Sequence, residues 1–137
     1  MEADQVGALC VRRRDNGACQ VLLITSRDTG RWIIPKGWRA ERLKDHEAAA
    51  REAHEEAGVA GQIKSEPIGK YTYPKTCRTG ARSLRVAVFL LLVRSEMDHW
   101  PEQGQRRRAW FDVPEAAAEV RESELRTLIQ ELEAIGV

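Results

Sequence analysis

The chain has 137 residues, 42% of them hydrophobic and 31% charged, with a formal net charge of +1. That length suits one small domain over residues 1–137 with a sizeable core, and the near-neutral charge argues against nucleic acid as a partner. No stretch approaches the ~20 apolar residues of a membrane helix, and MEADQVGALCVRRR has no basic start followed by an apolar run, so no secretory signal is read there. Cys10, Cys19 and Cys77 are odd in number and form no Cys-x-x-Cys pair. They read as reduced thiols of a cytoplasmic protein.

Taken in chain order, Gln5 to Arg12 alternates, with Val6, Ala8 and Cys10 on one side, and predicts a strand. Asp15-Asn16-Gly17 is a turn signal, and Cys19 to Thr25 completes a hairpin. Arg27 to Gly30 reads as a loop, and Trp32-Ile33-Ile34 as a short buried strand stopped by Pro35. A helix is expected from about Lys44 to Ala57, with Asp45 in its first turn. Ile63 to Tyr73 predicts a strand, Pro74 to Gly80 a loop, and Ser83 to Arg94 a long strand that is apolar on both faces and therefore central. Met97 to Arg106 is polar loop, and Arg108 to Val113 a strand anchored by Trp110 and Phe111. Pro114 opens a helical segment. Ser123 is placed as the N-cap of a last helix, Glu124 to Ile135, whose Leu125, Leu128, Ile129 and Leu132 form a core-facing stripe. Strands, helix, strands and terminal helix give an α/β chain with a mixed sheet; pattern alone leaves α+β open.

One segment carries chemistry. GWRAERLKDHEAAAREAHEEAGV, Gly37 to Val59, places Glu52, Glu55 and Glu56 on one helical face at i, i+3 and i+4. Like charges at that spacing repel, and a hard divalent cation such as Mg²⁺ reverses the penalty because it prefers oxygen ligands. Taken alone, Glu-x-x-Glu-Glu is usually a solvated face. Here the preceding Pro35-Lys36-Gly37 suits close backbone approach, alanines at 48, 49, 50, 53 and 57 allow close packing on a sheet, and Gly58 suits an abrupt left-handed cap.

The spacing resembles the Nudix box, Gly-x5-Glu-x7-Arg-Glu-U-x-Glu-Glu-x-Gly-U, with Gly37, Arg51, Glu52, Glu55, Glu56, Gly58 and Val59 in register over 23 of the 137 residues. Leu43 stands where the first Glu belongs, and Glu47, four residues before Arg51, is a candidate to replace its support through an ion pair. The resemblance implies an α/β/α sandwich and a metal-dependent hydrolase of a pyrophosphate linkage. The implied metal ligands are Glu52, Glu55 and Glu56 with the Gly37 carbonyl. The implied cofactor is Mg²⁺, or Mn²⁺ in its place. Arg51 is assigned to ion-pairing and orienting the glutamates. The general base is one of these glutamates or Glu102, with Asp98 a weaker candidate; for Glu102 and Asp98 a solvated loop residue is the favoured reading. His54 points off the acidic face.

Two further stretches are similar to the diphosphoinositol polyphosphate phosphohydrolase and diadenosine polyphosphate hydrolase branch: Val21 to Arg27 with Arg31 to Gly37, and Arg106-Arg107-Arg108-Ala109-Trp110-Phe111. By that resemblance Arg27, Arg31, Lys36 and Arg107 or Arg108 are candidate phosphate contacts. Trp32, Trp38 and Tyr73 are candidates for stacking on a base; Trp32 precedes two isoleucines and reads as core, and Trp38 is the more exposed of them. Of 22 basic residues 17 are Arg, whose planar fork matches phosphate oxygens. The Arg106 to Arg108 run reads equally as an edge-strand guard against aggregation. Two alternatives stay open: a nucleotide-sugar, ADP-ribose or nucleoside triphosphate pyrophosphohydrolase, and a non-catalytic module that binds phosphate ligands or RNA. The expected partner is a small-molecule polyphosphate, with no membrane involved. Monomer and homodimer are not distinguished.

Overall fold

The structure, a computed structural model, describes residues 2–135. It runs β1 (Gln5–Arg13), β2 (Cys19–Thr25), β3 (Trp32–Ile33), β4 (Lys36–Trp38) and α1 (Asp45–Glu52), which continues as a π-helical turn over Ala53–Ala57. β5 (Val59–Ile63), β6 (Gly69–Cys77), β7 (Gly80–Glu96), β8 (Arg108–Asp112), α2 (Val113–Glu119) and α3 (Ser123–Gln130) follow.

Alternation along the central strands divides the chain into layers. Val6, Ala8 and Cys10 of β1, with Ala87, Phe89 and Leu91 of β7, meet the alanine face of α1. Leu9 and Val11, with Val86, Val88 and Leu90, meet Ala116, Leu125 and Ile129 of α2 and α3. The result is an α/β/α sandwich around a mixed sheet of eight strands. Ala48, Ala49, Ala53 and Ala57 are fully buried, so the helix backbone lies close to the sheet. On the other side Leu125, Ile129 and Leu132 fill the gap with bulk, and each contributes about 1.5–3 kcal/mol of burial.

β1 sets the position of the site. Its β7 edge is parallel from Gln5↔Val86 to Val11↔Leu92. Its other edge changes partner: Gln5–Gly7 pair with β4, while Cys10–Arg13 pair with β2. Between them the Ala8 amide donates to the Pro35 carbonyl at 3.0 Å. β2 then turns to β3 and β8, and the sheet opens beside β4.

Several boundaries differ from the expectations above. The strand expected over Ile63 to Tyr73 is two strands, β5 and β6, both paired to one edge of β7. The loop expected over Pro74 to Gly80 is mostly ladder, with pairs from Pro74↔Ser83 to Cys77↔Gly80. Pro74 is tolerated because β6 pairs only with β7, so its missing N–H lies on a free edge. Lys36-Gly37-Trp38, read as loop, forms β4. Ser123 is the first residue of α3 and not its cap; Glu122 occupies that place, without a side-chain cap bond. α3 ends at Gln130 and tightens into a 3-10 turn at Glu131–Glu133. Glu47 forms no ion pair with Arg51; its carboxylate accepts the Lys44 amide at 2.9 Å and closes the helix start. Leu43 packs against the alanine-side core. Cys10 and Cys19 are free and buried. The Cys77 side chain lies outside the description.

Candidate functional site

Where β1 changes partner, a cleft of about 290 Å³ opens between β4, the end of α1 and β6. Glu52 and Glu56 form its acidic wall; Arg27, Lys36, Lys75 and Arg106 supply cations around it. Glu52 lies hard against Gly37, where a Cβ would collide with its carboxylate and force that side chain to shift. Glu56 is 8% exposed. Its Oε1 accepts the Lys36 amide at 3.2 Å and its Oε2 lies 3.5 Å from Arg106 Nη2.

The wide π-helical turn sets Glu55 apart from this pair. Glu55 is partly buried and does not line the cleft, and its carbonyl accepts the Glu102 amide at 3.0 Å. Gly58 ends the turn at φ 65°, the left-handed cap expected of it.

Burial, with the neighbouring charges of Glu56 and Glu55, pushes the Glu52 carboxyl up to about 7, against a weaker downward pull from Arg51. Burial also raises Glu56, which Arg106 partly opposes. Desolvation lowers the Lys36 ammonium, and Glu56 opposes the change. Two crowded carboxylates are deprived of water and only Glu56 is paired with a guanidinium, and their oxygens are the donors a hard divalent cation takes. The residues present therefore fit such an ion, although among the described residues no three of His, Cys, Asp and Glu already converge as a ligand cluster.

The remaining candidates scatter. Lys36 lies on the cleft wall, its Nζ 4.6 Å over the Tyr73 ring. Arg27 lines the cleft and donates to Gln105 Oε1 at 2.8 Å. Trp38 lines the rim and is 51% exposed. Arg31 does not reach this cleft; its Nη1 faces Glu122 Oε2 at 3.8 Å in a second one. Arg51 is exposed and makes no ion pair among the described residues, which corrects its assignment as a direct partner of the glutamates; it acts on Glu52 through space. Glu102 accepts Arg106 Nε at 2.9 Å. His54 is exposed, as expected.

Within the arginine triplet the structure chooses differently from the expectation. Arg108 is spent on backbone: its guanidinium donates to the carbonyls of Ala57, Gly58 and Met97 at 2.9, 3.2 and 2.9 Å and lies 3.9 Å over Trp100. It staples the end of the helix. Arg107 is exposed, with its guanidinium 5.5 Å from the Trp32 ring. Arg106 faces the cleft, its side chain only 8% exposed, joining Glu56, Glu102 and the Thr25 carbonyl. A signal for this existed. Trp110 packs on the alanine side and Phe111 on the other, so period-2 alternation puts Arg106 and Arg108 with Trp110 and Arg107 with Phe111. Tyr73, a candidate for stacking on a base, lines the cleft, and Lys75 joins it although the sequence did not single it out, because Pro74 reads as ending the strand.

The NUDIX domain model matches residues 3–132. "Nudix hydrolase 13, mitochondrial" of Arabidopsis thaliana is 34% identical over 119 residues, covering 82% of this chain and 58% of that protein. "Diphosphoinositol polyphosphate phosphohydrolase 3-alpha" of Mus musculus is 32% identical over 112 residues, covering 80% of this chain and 65% of that protein. The chain spans between 45% and 68% of the length of these curated relatives. A solved structure of a C. elegans Ap4A hydrolase binary complex shares the fold, with TM-score 0.70 at 20% identity over 98% of this chain and 97% of that one.

Proposed function

The chain belongs to the Nudix family, and from that membership we propose that it hydrolyses a pyrophosphate linkage in a small polyphosphate, with a divalent cation held by the box glutamates. The observation that carries this reading is the cleft itself: Glu52 and Glu56 desolvated side by side, facing Arg27, Lys36 and Lys75. Carboxylates alone would repel a polyphosphate and cations alone would only bind it. Both together, around a space of about 290 Å³, suit a bound cation and the phosphates it neutralises.

Glu52 and Glu56, with Glu55 on the adjoining turn and the Gly37 carbonyl, would hold Mg²⁺ or Mn²⁺. When bound, the ion supplies polarisation of the phosphoryl oxygens and a lowered pKa for the attacking water. The chain's own residues do the rest. Lys36 and Lys75, with Arg27 at the entrance, orient the phosphate chain. Arg106 keeps Glu56 in place while itself anchored on the Thr25 carbonyl. The attacking water's proton is assigned to a box glutamate and not to Glu102, because Glu102 Oε1 is held 2.9 Å from Arg106 Nε.

The test is product release across diadenosine polyphosphates, a diphosphoinositol polyphosphate, ADP-ribose and nucleoside triphosphates, with Mg²⁺, with Mn²⁺ and with chelator. Chelator-sensitive cleavage of at least one class is expected. Binding without turnover under every condition would replace this reading with a non-catalytic phosphate-binding module.

A further inference from the structure

The turn that carries Glu55 and Glu56 is wider than an α-helix: the Gly58 amide reaches back to the Ala53 carbonyl as well as to that of His54. Such turns are rare, and the last carbonyls of any helix lack partners inside it. Here the segment from Met97 to Arg108 takes them. The Glu55 carbonyl accepts the Glu102 amide at 3.0 Å, and the Gly58 carbonyl accepts the Met97 amide at 2.7 Å. The Arg108 guanidinium donates to the Ala57 carbonyl at 2.9 Å and to that of Gly58 at 3.2 Å. Arg106, two residues earlier on the same face, meets the Glu56 carboxylate. One stretch of chain therefore grips both the backbone and a side chain of the turn.

Trp100 completes the grip. Its ring lies 3.9 Å from the Arg108 guanidinium. It also closes against Gly58, where a Cβ would collide with the indole. The indole N–H is buried without a hydrogen-bond partner, so stacking and packing hold the ring. A guanidinium on an aromatic face is attracted to it and keeps its planar fork aimed. Neither Trp100 nor Arg108 lines the cleft.

We infer that Trp100 and Arg108 are positioning residues for the cation, acting through the shape of this turn. At α-helical spacing Glu55 and Glu56 would both flank Glu52. In the wide turn Glu56 joins Glu52 in the cleft and Glu55 is set apart. The clamp thus selects which carboxylates meet the ion and at what spacing. The inference rests on the metal-site reading above. It adds a distant determinant of metal affinity that touches neither ion nor substrate.

The test is Mn²⁺ binding to the full chain without substrate, read from the electron paramagnetic resonance of free Mn²⁺, beside thermal melting in chelator. The proteins are wild type, Trp100→Leu, Trp100→Phe, Arg108→Lys and Ile129→Val, each checked for folding by circular dichroism. Arg108→Lys keeps the charge and loses the fork. Trp100→Leu and Arg108→Lys are expected to weaken Mn²⁺ binding about 10-fold, as for other groups that orient metal ligands. Trp100→Phe keeps a ring beside the guanidinium and should recover most of that loss. Ile129 is fully buried on the far side of the sheet; Ile129→Val should melt lower and bind Mn²⁺ as wild type does. Should Trp100→Leu not fold, Arg108→Lys decides. Wild-type affinity in the clamp variants would overturn the inference and leave the metal site standing, and so would an equal loss in Ile129→Val. No Mn²⁺ binding by wild type would remove the metal site and the inference together. Clamp-dependent Mn²⁺ binding without turnover of any polyphosphate would remove the hydrolase and keep the clamp.

Discussion

The two ends of α1 are built on opposite terms. At its start the chain satisfies itself: Glu47 accepts the Lys44 amide, and Leu43 packs into the alanine-side core. At its end Glu52 and Glu56 are crowded and desolvated, and Glu56 is held by a guanidinium from a distant loop. The first end lowers the energy of the fold. The second raises it and leaves carboxylate oxygens facing a cleft. The difference separates what the helix needs to exist from what it is positioned to do. It also accounts for the tolerance of Leu43 where the box has Glu, because that position belongs to the self-sufficient end.

Substitutions test this contrast. Glu56→Ala should lower kcat more than about 100-fold with little loss of folding, since even outer-shell partners of metal ligands are worth about 10- to 100-fold; near-normal steady-state kinetics would move the site elsewhere. Arg106→Gln should cost about 10- to 100-fold and raise the Mg²⁺ concentration needed for half-maximal rate, because Glu56 loses its support while remaining present. A full-rate Arg106→Gln enzyme would reduce that arginine to packing.

Glu52→Gln should raise the melting temperature of chelated protein at pH 8 by a few degrees. The Glu52 carboxyl is raised from 4.5 to about 7 in the folded state, so the native chain holds the extra proton between those values. Stability of the chelated protein then falls as pH rises from about 4.5 to about 7, and stays lower above it. Gln removes that slope; equal pH slopes in both proteins would dismiss the crowding. Glu47→Ala belongs to the other end and should cost about 0.5 kcal/mol of stability by thermal melting while leaving kcat unchanged. A loss of rate there would join the two ends functionally.

Much of this was legible because it is local. The faces of β1 and β7 follow from period-2 alternation, and Val6, Ala8 and Cys10 lie together on the alanine side. The helix, its alanine stripe and the left-handed Gly58 follow from spacing and residue type. Boundaries failed where pairing overrides composition. Pro74 sits within a ladder because β6 is an edge strand, and edge status depends on which strands arrive beside it.

The sequence by itself determined the family, the layer each strand face belongs to, and the glutamates from which a metal site could be built. These depend on periods and spacings within one segment. Only the tertiary structure decided that Arg106 and not Arg108 meets Glu56, that Lys75 joins the cleft, and that Glu122 meets Arg31 in a half-buried pair. Those contacts join residues separated by 50 positions in one case and 91 in another. Their partners are set by how β8, β6 and α3 dock, and no local pattern encodes that.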